Sequence, residues 1–272
     1  MTEGNSGVDQ SKPSIARVYD CLLGGKDHYV VDRAVGETFK HDMPGSVAIA
    51  HANRQNLVRA VRELALAGID QFIDMGSGLP TADNVHQVAQ RQVPDARVVY
   101  IDSDPIVLAH GRALLEGHAH TRVLQADVRD PQAIREHPDT VELIDFDRPV
   151  AVVLSAILHH LNDDEDPRAL VRYWQEQVPS GSYFFISHFR SGDNPQTAEA
   201  EAVLQSTFGR GRWRSDAEIR ALFGDLEILE PGIVPSSLWR PDVASDPLHA
   251  GAAEAELTVW EQLIVGGLAW KA

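Results

Sequence analysis

Three acidic residues stand in the same kind of place, each at or just past the end of a short apolar run. Asp74 lies in the run from Gln71 to Met75, and Gly76, Ser77, Gly78 and, after a Leu-Pro pair, Thr81 follow it. Asp102 ends the run that starts at Arg97 and precedes Ser103, Asp104 and Pro105. Asp127 follows the run from Thr121 to Ala126 and precedes Val128. If the runs are strands of an open α/β sheet, all three acids sit where such sheets bind ligands, at the carboxyl ends of the strands. A carboxylate at the first position can face a cation. One at the second can accept hydrogen bonds from both ribose hydroxyls. One at the third can accept from an adenine amino group while the Val128 N–H donates to a ring nitrogen. Each has a structural alternative: Asp74 can cap N–H groups of a tight turn, Ser103 or Asp104 can cap a helix opening at Pro105, and Asp127 can be an ordinary loop acid. The ordered series favours the ligand reading.

The turn from Met75 through Gly78 lets backbone pass close to a ligand. A dinucleotide fingerprint would carry a third Gly or Ala where this chain has Thr81, so a pyrophosphate is disfavoured. The acid before the glycines suits the cationic amino-acid end of S-adenosylmethionine, and the series of three follows the order expected for that cofactor. Ser155 and Ala156, after a fourth apolar run, border the place expected for its methyl group. Methyl transfer needs alignment above all, because the sulfonium already activates the carbon, so a general base is optional. His159 is the candidate base, since imidazole titrates near neutrality; His160 reads as structural. Both histidines with Asp163, Asp164, Glu165 and Asp166 also resemble a metal cluster, but Asp166 before Pro167 reads better as a helix N-cap and no metal is expected. Arg210, Arg212, Arg214 and Arg220 with Trp213 could grip an anion, though a charge run is more often a solvated face. His188, Arg190, the segment from Pro235 to Trp239, Trp213 and Trp239 are candidates for an acceptor pocket, with core packing as the alternative.

Near the start stands a stretch running from Arg17 to Arg33 that includes Tyr19, Asp20, Gly24, Gly25, Lys26, Asp27, His28 and Tyr29. It resembles the hallmark of an actinobacterial methyltransferase family long catalogued as a domain of unknown function. The segments from Phe72 to Thr81, Val99 to Pro105, Leu158 to Leu161 and Leu229 to Val234 match that family too. The resemblance implies a class I methyltransferase fold, S-adenosylmethionine as cofactor and S-adenosylhomocysteine as product; it implies no particular acceptor. In this light the stretch from Ser14 to Ala67 is expected to be a helical lid in which Tyr19, Gly25 and Lys26 meet the cofactor. A helical hairpin packed on the sheet, with Gly24 as a C-cap, is the structural alternative.

The elements that must position these residues follow from periodicity. Helices broken at Gly24 and Gly25 are expected from Ser14 to about Lys40, and a long helix from Ser46 to Ala67, stopped by Gly68. Strands at Gln71–Met75, Arg97–Asp102, Thr121–Ala126, Pro149–Ser155 and Ser182–His188 alternate with helices at Ala82–Gln92, Pro105–Glu116, Pro131–Glu136 and Pro167–Gln177. The strands are continuous apolar runs, as in a parallel sheet buried on both faces. Helices at Thr197–Thr207 and Ser215–Leu222 precede a strand from Leu226 to Pro231 and a final strand or pair over Glu256–Trp260 and Gln262–Lys271. The expected fold is a Rossmann-like, doubly wound, seven-stranded and mostly parallel sheet over residues 68–272. Residues 14–67 form the lid, and residues 1–13 are a disordered, signal-free N-terminus.

The net charge is −16 over 272 residues, which disfavours a nucleic-acid substrate. No apolar run is long enough to span a bilayer. The one cysteine, Cys21, fits a reducing cytoplasm. A small-molecule acceptor is the leading partner, and a homodimer is left open. Three rivals remain: an NAD-dependent oxidoreductase, a non-catalytic S-adenosylmethionine-binding sensor or regulatory module, and a methyltransferase acting on protein or nucleic acid, the latter disfavoured by the charge.

Overall fold

The computed structural model describes residues 10–115, 118–192, 194–241, 254 and 257–272. Most of the expected N-terminal tail, residues 1–9, lies outside them; residues 10–12 form a turn, where the Lys12 carbonyl accepts from Arg17. Three helices open the described chain: α1 (Ile15–Leu22), α2 (Val30–Asp42) and α3 (Ser46–Leu66). An alternating region follows: β1 (Gln71–Met75), α4 (Val85–Gln90), β2 (Arg97–Asp102), α5 (Pro105–Leu115), β3 (Thr121–Gln125), α6 (Pro131–Glu136), α7 (Pro138–Leu143), β4 (Ala151–Ser155), α8 (Pro167–Gln177) and β5 (Tyr183–Phe189). The chain closes with α9 (Pro195–Phe208), α10 (Asp216–Leu222), β6 (Glu227–Ile228), β7 (Val234–Pro235) and β8 (Ile264–Trp270).

The sheet runs β3-β2-β1-β4-β5-β8-β6, with β7 also on β8. Strands β1 to β5 are mutually parallel, and β8 inserts antiparallel beside β5. Among the described residues eight strands replace the expected seven, because the strand expected from Leu226 to Pro231 is cut short. β6 pairs with Ala269 and Trp270, the chain turns at Pro231 and Gly232, and β7 pairs with Val265 and Gly266. Both lie along one edge of β8, so the sheet still has seven positions across. The part of the expected strand over residues 257–260 is turn instead, and residue 256 is outside the described chain.

The mixed, mostly parallel sheet is the class I methyltransferase-like Rossmann arrangement. Alternate residues of each central strand feed opposite cores. Ile73, Val99, Val152 and Leu154 pack with Trp174 of α8 and Leu222 of α10 on one face. Phe72, Val98, Val153 and Phe185 pack with Leu57, Val61 and Leu64 of α3 and Val88 of α4 on the other. Strand order reverses between β1 and β4, because the chain winds outward to β3 and then crosses back. That reversal opens a crevice at the carboxyl ends of β1 and β4.

Helix α3 fixes the outer wall. Its buried Arg59 donates from Nε to the Trp239 carbonyl (2.9 Å) and from Nη2 to the Ser236 carbonyl (2.6 Å). Asn56 donates to Ser236 Oγ at 3.2 Å. The segment from Pro235 to Trp239 is thereby clamped into the packing around α3 and does not line the crevice, and Trp239 is fully buried against Phe185. The approach of α3 to β8 is so close that a Cβ at Gly266 would stand 2.2 Å from Asn56 Nδ2. Gly266→Ala is therefore expected to destabilise the protein by about 1–3 kcal/mol through overpacking, read as a lowered urea midpoint with an unchanged slope.

Candidate active site

The crevice is enclosed as a cavity by three loops of the sheet edge and by α1, α2, α3 and α9. Gly76 and Gly78 both take positive φ, +69° and +67°, which glycine alone adopts at little cost. A Cβ at Gly76 would come within 2.6 Å of Ile157 Cδ1. The Gly78 N–H donates to Asp102 Oδ2 and the Asp104 N–H to Asp102 Oδ1, both at 2.9 Å. Asp102 is thus oriented by backbone, with lone pairs remaining for further donors. Asp104 caps α5 through the Ile106 N–H at 2.8 Å. Ala156 turns the chain after β4 with a positive φ of 54°, held by its N–H to Ser187 Oγ at 2.9 Å.

Asp74 lines the same cavity at 3% exposure, and its carboxylate accepts no hydrogen bond among the described residues. Burial pushes its pKa up to about 7. The Arg54 guanidinium works against that rise and the Asp102 carboxylate adds to it. Arg54 itself borders the cavity. Its Nη2 donates to the Asp83 carbonyl (2.9 Å), while its Nε is buried without a hydrogen-bond partner. A buried carboxylate and a partly unsatisfied guanidinium therefore face one space.

The N-terminal helices roof the cavity through a polar network. Tyr19 donates to the Ala50 carbonyl at 2.9 Å, and Asn53 Nδ2 donates to Tyr19 (3.1 Å) and to Ser155 Oγ (3.3 Å). Ser187 donates to Asn53 Oδ1 at 2.6 Å. The residues after α1 fold back on Asp20, whose carboxylate takes the Asp27 N–H at 3.1 Å and contacts His28 Nδ1 at 2.9 Å. Buried Arg17 lies between Asp32 (3.3 Å) and Asp104 (3.8 Å), and the Ser14 hydroxyl donates to Asp104. The start of α1 is in this way bonded directly to the loop after β2.

A family model described as S-adenosyl methyltransferase matches residues 1–272. The chain belongs to the S-adenosyl methyltransferase family. Its fold matches a crystal structure from Thermobifida fusca, described as a candidate methyltransferase, at 44% identity and TM-score 0.92, covering 100% of this chain and 99% of that one. It also matches a protein of the domain-of-unknown-function family 574 from Streptomyces avermitilis at 35% identity and TM-score 0.90, covering 98% and 100%. An O-methyltransferase family protein from Burkholderia thailandensis shares the fold alone, at 14% identity and TM-score 0.53, with 89% of this chain and 62% of that one covered. No curated protein matches the sequence. Family membership sets aside the oxidoreductase alternative: the chain is an S-adenosylmethionine-dependent methyltransferase.

Within this methyltransferase the cavity brings together Tyr19, Asp74, Gly76, Ser77, Gly78, Asp102, Ser103, Ser155, Ala156 and His159. Other expected contacts fall elsewhere. Gly25 packs against Asp20, whose Oδ1 would lie 1.8 Å from a Cβ there, and Lys26 is exposed. Met75 and Val128 point into the core. Thr81 gives its N–H to Asn84 Oδ1 (3.0 Å) and borders a neighbouring depression. Asp127 is taken by the Arg129 N–H and Nε, both at 2.9 Å, which holds its carboxyl below the usual range, and it faces a separate open depression. Asn53 and Arg54 were not foreseen. Their signal was faint: polar residues beside the apolar stripe of Ile49 and Leu57.

Three arginines of the run are absorbed by acids, while Arg220 is exposed in the last turn of α10. Arg210 pairs with Glu165, and Arg212 with Asp163 and Glu218. Arg214 is buried and donates to the Leu158 (3.1 Å) and Leu161 (3.0 Å) carbonyls, binds Asp163 and approaches His188 Nε2 at 3.1 Å. Asp166 caps α8 through the Ala169 N–H at 2.9 Å. Trp213 is core, behind Phe189. His159 borders the cavity at 1% exposure, and burial with the adjacent His160, His188 and Arg214 keeps its pKa well below the ordinary value. The Phe189 N–H donates to its Nδ1 at 3.3 Å, which leaves the ring proton on Nε2. In this tautomer neither nitrogen is available to take a proton, so the geometry makes His159 a hydrogen-bond donor rather than the expected general base.

The buried Asp74 has a consequence for stability. Its folded value of about 7 lies above that of an unfolded carboxyl, so the folded state holds the extra proton. Stability from this group is fully present below the unfolded value and is lost as pH rises through about 7. Asp74→Asn is expected to raise Tm relative to the parent at pH 8 and to give little gain at pH 4, measured by calorimetry.

Proposed function

We propose that the cavity binds S-adenosylmethionine and that the protein transfers its methyl group to a small-molecule acceptor. The observation that carries this is the buried Asp74 carboxylate without a hydrogen-bond donor, placed between the glycine turn and Arg54. A buried ion needs a partner of opposite charge. The cofactor's α-ammonium is one, and Arg54 with its unsatisfied Nε suits the carboxylate on the same carbon. Asp102 is oriented to accept the ribose hydroxyls, and Ser103 borders the nucleoside end. Asp127 has no part in this reading, since Arg129 occupies its carboxylate.

S-adenosylmethionine supplies a methyl carbon already activated by its sulfonium and leaves as S-adenosylhomocysteine. The chain's own residues bind, orient and exclude water. The hairpin of α1 and α2 with α3 acts as the lid, anchored by the bonds of Tyr19 and Asn53 and by Ser14 on Asp104. Ser155, Ala156 and His159 border the space where an acceptor meets the methyl group. An acceptor that loses a proton gives it to solvent or the medium on this reading. The net charge of −16 supports an acceptor other than nucleic acid, and the single buried thiol of Cys21 accords with a cytoplasmic site of action.

Isothermal titration calorimetry with S-adenosylmethionine, and with NAD beside it, tests the assignment. Binding of the first and not the second is expected; binding of NAD alone defeats it. Asp102→Ala is expected to weaken cofactor binding by about 1–3 kcal/mol. Because the free Asp74 carboxyl titrates near 7 and an ammonium partner favours its charged form, affinity should fall by up to about tenfold per pH unit below that point. The slope should vanish in Asp74→Asn. Formation of S-adenosylhomocysteine during turnover separates an enzyme from a cofactor-binding module.

A further inference from the structure

The cavity has two chemically distinct ends. Among the described residues, every charged side chain bordering it, Arg54, Asp74, Asp102 and Asp104, belongs to the end built by the sheet loops and α3. The other end is walled by Leu22, Phe39, Met43, Ile49, Leu204 and Phe208, from α1, α2, α3 and α9 and the residue that follows α2. Leu22, Phe39 and Leu204 pack as one apolar cluster with Phe189 and Phe208 at its margin. Among the described residues no side chain there offers a counter-charge.

Two histidines border this cavity, at the turn after β4. His159 is locked with its proton on Nε2, because its Nδ1 receives the Phe189 N–H, and among the described residues Nε2 makes no hydrogen bond. His160 packs against it at a tilt of 54°, with 4.3 Å between ring centroids, and its Nδ1 is buried without a partner. Of the other polar groups nearby, Tyr19, Asn53 and Ser187 spend their donors within the roof network, while the Ser46 hydroxyl, also on the lining, is buried without a hydrogen-bond partner. A group that enters this end thus meets an apolar wall, an imidazole N–H and a neutral hydroxyl.

We propose that the acceptor is an electrically neutral, largely apolar molecule that presents an oxygen or nitrogen lone pair to the Nε2–H of His159. This names the acceptor class of the methyltransferase reading above and rests on that reading. A carboxylate or ammonium in the apolar end would lose its hydration without gaining a partner. A neutral group with one lone pair satisfies the orphan donor and leaves its apolar body against the wall. His159 is then a specificity-determining residue.

The test uses three probes of one shape: 2-naphthol, 2-naphthoate and 2-naphthylmethylammonium. Each is titrated by calorimetry at pH 7 into the full chain loaded with S-adenosylhomocysteine. The neutral probe is expected to bind at least about tenfold more tightly than either charged one. Equal or tighter binding of a charged probe overturns the proposal, and so does binding of none by a protein that still takes up S-adenosylhomocysteine. If S-adenosylhomocysteine itself does not bind, the cofactor reading fails; the series is then run on the protein alone, where the same order upholds the acceptor class and any other defeats it. His159→Phe should lose about tenfold for 2-naphthol. His159→Gln, whose amide can accept from the Phe189 N–H and donate onward, should restore it to within about threefold. Loss in both variants alike, with S-adenosylhomocysteine affinity intact, assigns His159 a purely structural role and counts against it.

Discussion

A carboxylate without a donor, buried at the end of the central strand, is the constraint around which the site is arranged. Asp74 sits where β1 stops, with parallel neighbours on both sides and α3 above it. Among the described residues no backbone N–H reaches its oxygens, because the chain turns away through Gly76 and Gly78 and those turns aim the Gly78 N–H at Asp102 instead. Two acids thus lie in one cavity, each pushed upward by burial, with Arg54 as the charged side chain of opposite sign on its lining. Such an arrangement costs the folded protein stability. It is held in place by a sheet whose central strands are almost wholly buried between two apolar layers.

The roof over this constraint is polar in its joints and apolar in its lining. The stretch after α1 consumes its own charges: Asp20 gathers the Asp27 backbone and His28, and Asp32 takes the Ser14 and Tyr29 N–H groups at 3.0 and 2.8 Å. The roof is tied to the rest by Ser14 and Arg17 on Asp104, by Asn53 on Ser155 and Ser187, and by Asp27 near His110 of α5. A connected polar network of this kind favours one arrangement of helices on sheet, although Nε and Nη1 of Arg17 are buried without hydrogen-bond partners. It also explains why the faces turned inward can be Leu, Phe and Met, since most of its polar groups are already paired with one another.

Arg214 does comparable work at the opposite wall. Its guanidinium ties the carbonyls of Leu158 and Leu161 to Asp163 and His188, so the turn carrying His159 and His160 is bound to the end of β5. Burial of the three rings, with His159 at 5.4 Å from His188 and 4.3 Å from His160 and arginines close by, favours neutral imidazoles. Their role follows from that neutrality: they offer and receive hydrogen bonds without charging.

The sequence by itself determined what depends on neighbours along the chain. Continuous apolar runs placed β1, β2, β4 and β5, because a parallel strand buried on both faces must be apolar throughout. Gly76 and Gly78 marked the turn, because positive φ is a local property, and Asp102 and Asp104 stood where the second turn needs an acceptor and a cap. Tertiary structure decided what depends on partners distant in sequence. Asp127 stood at the expected place, yet Arg129 holds its carboxylate away from the cavity while Arg129 itself is drawn to Glu165. Gly25 and Lys26 belonged to the same motif, but the backbone fold around Asp20 packs Gly25 against that carboxylate and leaves Lys26 exposed. Arg54 and Asn53 entered the site because α3 is laid across the carboxyl edge of the sheet, an angle set by its clamp on Ser236 and Trp239 about 180 residues later. His159 was legible as a cavity residue but not as a donor, since its tautomer is set by the Phe189 N–H across the sheet edge. Spacing along a chain records which strand end a residue occupies; only packing determines which of its atoms are already bonded and which are left to face a ligand.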